Sequence, residues 1–85
     1  MTKGEQTRQM ILEKTAQLFS THGYFGSSLS DIMQTTGLAK AGIYNHFKSK
    51  DELALEAFDY AFRNIELKLY SVIEQYVVKV LFFLS

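Results

Sequence analysis

Two short apolar-patterned segments, 29–36 and 40–47, are separated only by Gly37-Leu38-Ala39. Leu29, Ile32 and Met33 recur at helical spacing in the first, and Ile43 and Phe47 stand four apart in the second. Glycine between two such segments ends one helix and lets the chain turn sharply into the next. The spacing therefore predicts a helix-turn-helix pair, about Leu29 to Thr36 and about Lys40 to Phe47.

The flanks are also helical in pattern. From about Glu5 to His22, Ile11, Leu12, Ala16, Leu18 and Phe19 form one broad stripe, and Gly23 marks the end. In the loop that follows, Tyr24 and Phe25 are too apolar to be filler, so one or both are expected to fold back on the core. Ser28 with Asp31 makes a capping-box-like start to the second helix. Ser49-Lys50-Asp51-Glu52 is a full box, in which Glu52 is expected to reach back to Ser49.

A fourth helix follows with no Gly or Pro. Leu55, Phe58, Phe62, Ile65, Leu69, Val72 and Tyr76 alternate in steps of three and four. Leu55, Phe58 and Phe62 are expected to pack on helix 1, leaving the distal seam bare. If the helix runs to about Val78 it spans roughly 45 Å at 1.5 Å per residue. Lys79 interrupts the seam, and Val80 to Leu84 read as a strand-like apolar run. The expected fold class is all-α, three helices and then a long fourth.

Composition excludes several classes. The chain has 85 residues and no cysteine, so a disulfide scaffold or cysteine-ligated zinc is out. The N-terminal residues lack the apolar core of a signal peptide, and no apolar run reaches the roughly 18 to 20 residues that span a bilayer. A cytoplasmic protein without membrane association is expected. Net charge is zero but uneven: residues 1–50 carry six Lys/Arg and three Asp/Glu, and residues 51–85 carry three and six. A basic half points to a polyanionic partner, although such asymmetry is also common on solvated faces. There is no Gly-rich phosphate loop, no His-Glu metal pair and no nucleophile with an evident base. His22 and His46 sit in unrelated contexts. No enzyme activity, cofactor or metal is expected.

The informative stretch runs from Gly37 to Lys50. Ile43 and Phe47 give its helix one apolar face, and Lys40, Tyr44, Asn45 and His46 lie on the other. Lys48 and Lys50 follow. Small residues at 39, 41 and 42 keep its N-terminal end slim enough for a DNA major groove about 12 Å wide. Lys, Tyr and His beside such a helix can bind phosphates, which sets register and supplies salt-dependent affinity.

Gly23-Tyr24, Ser27-Ser28-Leu29-Ser30-Asp31-Ile32, Thr36-Gly37-Leu38 and Ile43-Tyr44-Asn45-His46-Phe47-Lys48-Ser49-Lys50-Asp51-Glu52-Leu53 together resemble the TetR family of transcriptional repressors. The resemblance covers about Glu5 to Ile65. It implies a homeodomain-like three-helix DNA-binding domain over 5–65, with its helix-turn-helix at about 28–47 and helix 3 as the recognition helix. It implies phosphate contacts from Ser28, Tyr44, His46 and Lys50, with Lys48 beside them. It implies base readout by Lys40, Ala41 and Gly42, with Ser30 and Asn45 in addition. Partners would be double-stranded DNA with a palindromic operator, read by a homodimer.

There are departures from the family pattern. Ala39 replaces the usual Ser or Thr cap, at a cost of about 1 kcal/mol. Gly42, inside helix 3, costs about as much relative to alanine. The family's further helical domain, which binds an inducer and forms the dimer, has no counterpart in residues 66–85. The chain therefore reads as a truncated or fragmentary member. The alternative expectation is a helical interaction module, or a remnant that pairs through helix 4 with a full-length relative.

Overall fold

In the computed structural model, which describes residues 1–85, four helices follow one another: α1 (Lys3–His22), α2 (Leu29–Thr36), α3 (Lys40–Tyr44) and α4 (Lys50–Leu84). The helix starts follow local chemistry. The Thr2 hydroxyl accepts from the Glu5 amide and opens α1. At α2 the box is complete: Ser28 Oγ accepts from the Asp31 amide at 3.1 Å, and Asp31 Oδ2 accepts from the Ser28 amide at 2.9 Å. Hydrogen bonds to the carboxylate from the Ser28 amide, and next from the Ser28 hydroxyl, hold the Asp31 carboxyl below its ordinary value. Protonation would break the box, so its stabilisation is present above the ordinary carboxylate pKa and fades as pH falls through the lowered one. Gly37 closes α2 in the left-handed region, at φ 73° and ψ 14°, where a Cβ would be strained.

Ser49 Oγ caps α4 by accepting from Glu52 N at 3.0 Å, as the sequence predicts. Glu52, however, accepts from the Lys48 amide at 2.9 Å and not from that of Ser49. The carboxylate thus secures the turn one residue earlier.

A small core holds the first three helices to the start of α4. Ile11, Ile32, Ile43, Phe47 and Leu53 are buried, with Leu12, Leu18, Phe19, Leu29 and Met33 packed around them. α1 packs against both α2 and α4, and α2 against α3. The Arg8 guanidinium lies 4.6 Å from the centre of the Phe47 ring and donates to Glu56 at 2.5 Å. One residue of α1 therefore ties the end of the helix-turn-helix to α4.

Thr15 is fully buried on α1, and its hydroxyl has no hydrogen-bond partner. An unsatisfied buried hydroxyl costs energy that a methyl group of similar size does not. Thr15→Val is expected to raise stability by about 1 kcal/mol, read as a higher midpoint in urea with an unchanged slope. A lowered midpoint would show that the hydroxyl is satisfied in solution.

Two expectations for α4 are corrected. Leu55, Phe58 and Phe62 do not pack on α1; they are 60% to 74% exposed. The contact is made by Leu53 and Ala57, both buried, with Ala54, Glu56, Tyr60 and Ala61 half-buried alongside. Alanines permit a close helix approach, and they lie roughly a third of a turn round the axis from the large apolar seam. The run Val80 to Leu84 is helix and not strand-like, because α4 continues to Leu84 and the Ser85 amide still bonds to Leu81 O. With neither Gly nor Pro to interrupt it, the helical ladder extends through the β-branched residues. No helix is long and apolar enough to cross a membrane.

Candidate nucleic-acid interface

α3 is short because little supports it locally. Ala39 at its N-cap makes no side-chain hydrogen bond. Helical geometry ends at Tyr44, earlier than the Phe47 expected. The amides of His46 and Phe47 both turn back to Ile43 O, at 3.0 and 3.2 Å, and lead the chain towards α4. Ile43 and Phe47 anchor this stretch from within, 0% and 2% exposed.

The opposite side is open. Lys40, Ala41, Tyr44, Asn45 and Lys48 are exposed, and His46 is half-buried, its ring 6.4 Å from that of Phe47. Lys40 and Tyr44 share a flank, with the Lys40 ammonium 5.9 Å from the Tyr44 ring centre. Asn45 is the C-cap of α3 and lies away from its N-terminal end. Gly42 is half-buried, and a Cβ there would rest 3.5 Å from the Leu38 side chain. Its side of the helix therefore faces the turn. Ser28 and Ser30 are exposed at the start of α2, and the Ser28 hydroxyl already serves as the cap.

Lys50 is placed differently from its neighbours. Its ammonium donates to Ser27 O at 2.5 Å and to Tyr24 O at 3.3 Å, and it lies 4.4 Å from the centre of the Tyr24 ring. Tyr24 packs edge-on against Phe19 at 5.8 Å and donates its hydroxyl to Asp51. That bond to a carboxylate favours the protonated phenol and raises its pKa. Of the two loop aromatics, Tyr24 folds back, whereas Phe25 is 98% exposed.

The loop also contains a position that only glycine fits. A Cβ at Gly26 would lie 2.0 Å from the His22 carbonyl oxygen. The pairing of Arg8 with Glu56 carries no local sequence signal, since it joins residues 48 positions apart.

On the other flank of α4, an apolar groove of about 780 Å³ runs between α1 and α4, lined by Phe19, Tyr24, Leu55, Phe58 and alanines. It merges with the bare seam.

A three-helix head whose second and third helices meet at a glycine turn, with the third presenting an open polar flank, defines a helix-turn-helix domain. The family described as bacterial regulatory proteins, tetR family, matches residues 11–57. The chain belongs to that family. It is 38% identical over 68 residues to the HTH-type transcriptional regulator AcrR of Shigella flexneri, covering 79% of this chain and 32% of AcrR. It is 33% identical over 67 residues to the HTH-type transcriptional repressor DhaR of Mycobacterium sp. (strain GP1), covering 79% and 34%. Among solved structures, a TetR transcriptional regulator from Chloroflexus aurantiacus J-10-fl superposes with a TM-score of 0.79 at 48% identity, covering 84% of this chain and 36% of that one. A TetR-family regulator from Cytophaga hutchinsonii gives 0.78 at 38% identity, with the same coverage. The chain spans about a third of the length of the curated relatives it matches.

Proposed function

We propose that this chain binds duplex DNA by laying α3 in the major groove, as a cytoplasmic transcriptional regulator of the repressor type. The observation that carries the reading is the one-sided burial of residues 40–48. Ile43 and Phe47 lock the segment into the head, while Lys40, Ala41, Tyr44, Asn45 and Lys48 stay open on the other side. The N-terminal half of such a helix is the part that meets base edges, which gives readout to Lys40 and Ala41. Gly42 keeps the helix slim, and Asn45 and Ser30 reach bases at the margins. Tyr44, His46, Lys48, Lys50 and Ser28 grip phosphates.

One head reads one half-site. A palindromic operator needs two heads about 34 Å apart, the length of one DNA turn, and the homodimer would supply them. Binding by a single head is weak. Lys40, Lys48 and Lys50 bring full charges to the proposed face, so log K should fall with log salt at a slope of roughly −3.

The test is a salt titration of binding to duplex DNA. Lys48→Ala is expected to weaken binding to all sequences and flatten the slope by about 1. Tyr44→Ala should weaken binding with the slope unchanged, because a phenol carries no charge. If both variants bind like the wild type across the titration, α3 does not face DNA in this way.

A second reading is favoured by the bare seam of α4, whose large apolar residues from Leu55 to Tyr76 are half to three-quarters exposed. In that reading the chain is a helical interaction module that pairs through α4 with a longer relative.

A further inference from the structure

Lys40 is the first residue of α3 and Tyr44 the last. Four residues apart on a helix, their side chains share one flank on successive turns. The Lys40 ammonium stands 5.9 Å from the centre of the Tyr44 ring, within reach of a cation–π contact. Nothing else nearby holds it. The first turn of α3 has no acidic residue, and residues 32–50 contain neither Asp nor Glu. The two ion pairs of the chain join Arg8 to Glu56 and Arg63 to Asp59. A cation at the start of a helix also meets the positive end of the dipole. Local chemistry therefore gives this lysine no stabilising partner except the ring, which draws its stem along α3 instead of outward.

We infer that Lys40 reads a guanine in the major groove and that Tyr44 is its positioning residue. The inference rests on the DNA binding proposed above and names the base that is recognised. An ammonium only donates hydrogen bonds. In the major groove guanine alone presents two acceptors, O6 and N7, and no donor. Adenine sets an amino donor beside its N7, cytosine offers a donor, and thymine has one acceptor next to a methyl group. Ala41 and Gly42 bring no side-chain donor, so Lys40 is the polar group at the leading end of α3. A lysine free to swing would follow the phosphates, where the negative charge is greatest. Laid against the ring of Tyr44, its ammonium stays over the flank that enters the groove. The ring and the hydroxyl of Tyr44 thus have separate tasks: the ring holds Lys40, and the hydroxyl is left for a phosphate.

The test sequences the bound and unbound fractions of duplexes that carry a short randomised core, mixed with the protein at low salt. Lys40 and Tyr44 are both exposed, so variants at either position keep the fold. With the wild type, one position should prefer guanine about tenfold. Lys40→Ala should lose that preference. Tyr44→Leu should reduce it about threefold by releasing the lysine. Tyr44→Phe keeps the ring, and should bind more weakly yet prefer guanine as strongly as the wild type does. Replacing that guanine by 7-deazaguanine removes one of the two acceptors, and should cost the wild type about threefold in affinity and Lys40→Ala nothing. In the free protein, the ring current should move the ε-methylene protons of Lys40 upfield in the wild type and in Tyr44→Phe, and Tyr44→Leu should abolish the shift. A guanine preference that survives Lys40→Ala, or that Tyr44→Leu leaves undiminished, overturns the inference. So does a wild type that binds duplex with no preference for guanine at any position, although the proposed function then stands. A wild type that binds no duplex at all overturns both.

Discussion

Phe47→Ala is expected to abolish cooperative folding of the head. Phe47 is one of five residues in the central apolar cluster and is 2% exposed. It is also the point where the end of the helix-turn-helix meets Arg8 and, through it, α4. Truncating a buried phenylalanine costs about 3–5 kcal/mol. A core this small supplies a net stability of about the same size, so no margin remains. The cation over the ring also loses its apolar seat. In a thermal melt followed by far-ultraviolet dichroism, the wild type should show one sigmoidal transition and Phe47→Ala a broad slope. Phe25→Ala is the matched control. That ring is 98% exposed, and its loss should leave the midpoint within a degree or two. A cooperative melt retained by Phe47→Ala would mean that the head is held together elsewhere.

The features legible in the sequence were those whose cause is local. Gly37 as the stop of α2, Ser28 with Asp31 as its start and Ser49 as the cap of α4 each depend on a few adjacent residues. Ile43 with Phe47 was legible because four-residue spacing puts two side chains on one helix face. The packing face of α4 was not. Its sequence offers two apolar stripes, one of large residues and one of alanines with Leu53, and size suggests the first. The head uses the second because α1 approaches closely only over small side chains. The inward contacts of Lys50 with the carbonyls of Ser27 and Tyr24 were equally hidden, because only the position of the α1–α2 loop supplies those carbonyls. The boundary of α3 moved for a related reason. Ala39 and Gly42 weaken the helix from within, and the chain must already turn at Asn45 to deliver Ser49 to the start of α4.

The second large effect concerns the stripe that the head does not use. Leu55, Phe58, Phe62, Ile65, Leu69, Val72 and Tyr76 form a continuous apolar seam along a helix of 35 residues. From Phe62 onward every residue of α4 is exposed, so this part has no tertiary support within the chain. A long helix without packing is marginal in water, since helical stability in proteins comes mostly from a buried face. An uninterrupted apolar patch of this length also exceeds what monomers ordinarily expose. The chain is therefore expected to self-associate at micromolar concentrations. Its helix content should fall on dilution as the distal half of α4 loses its cover. Phe62→Gln with Leu69→Gln and Tyr76→Gln removes three buried anchors from each chain of such a pair. At about 1.5–3 kcal/mol for each large apolar side chain, association should weaken by more than about a hundredfold, while the melt of the head stays in place. Sedimentation across a concentration series, with dichroism on the same samples, reads both effects. A wild type that sediments as a monomer at all concentrations with a full-length helix would show that α4 is stable alone, and the seam would then have no role in holding the protein together.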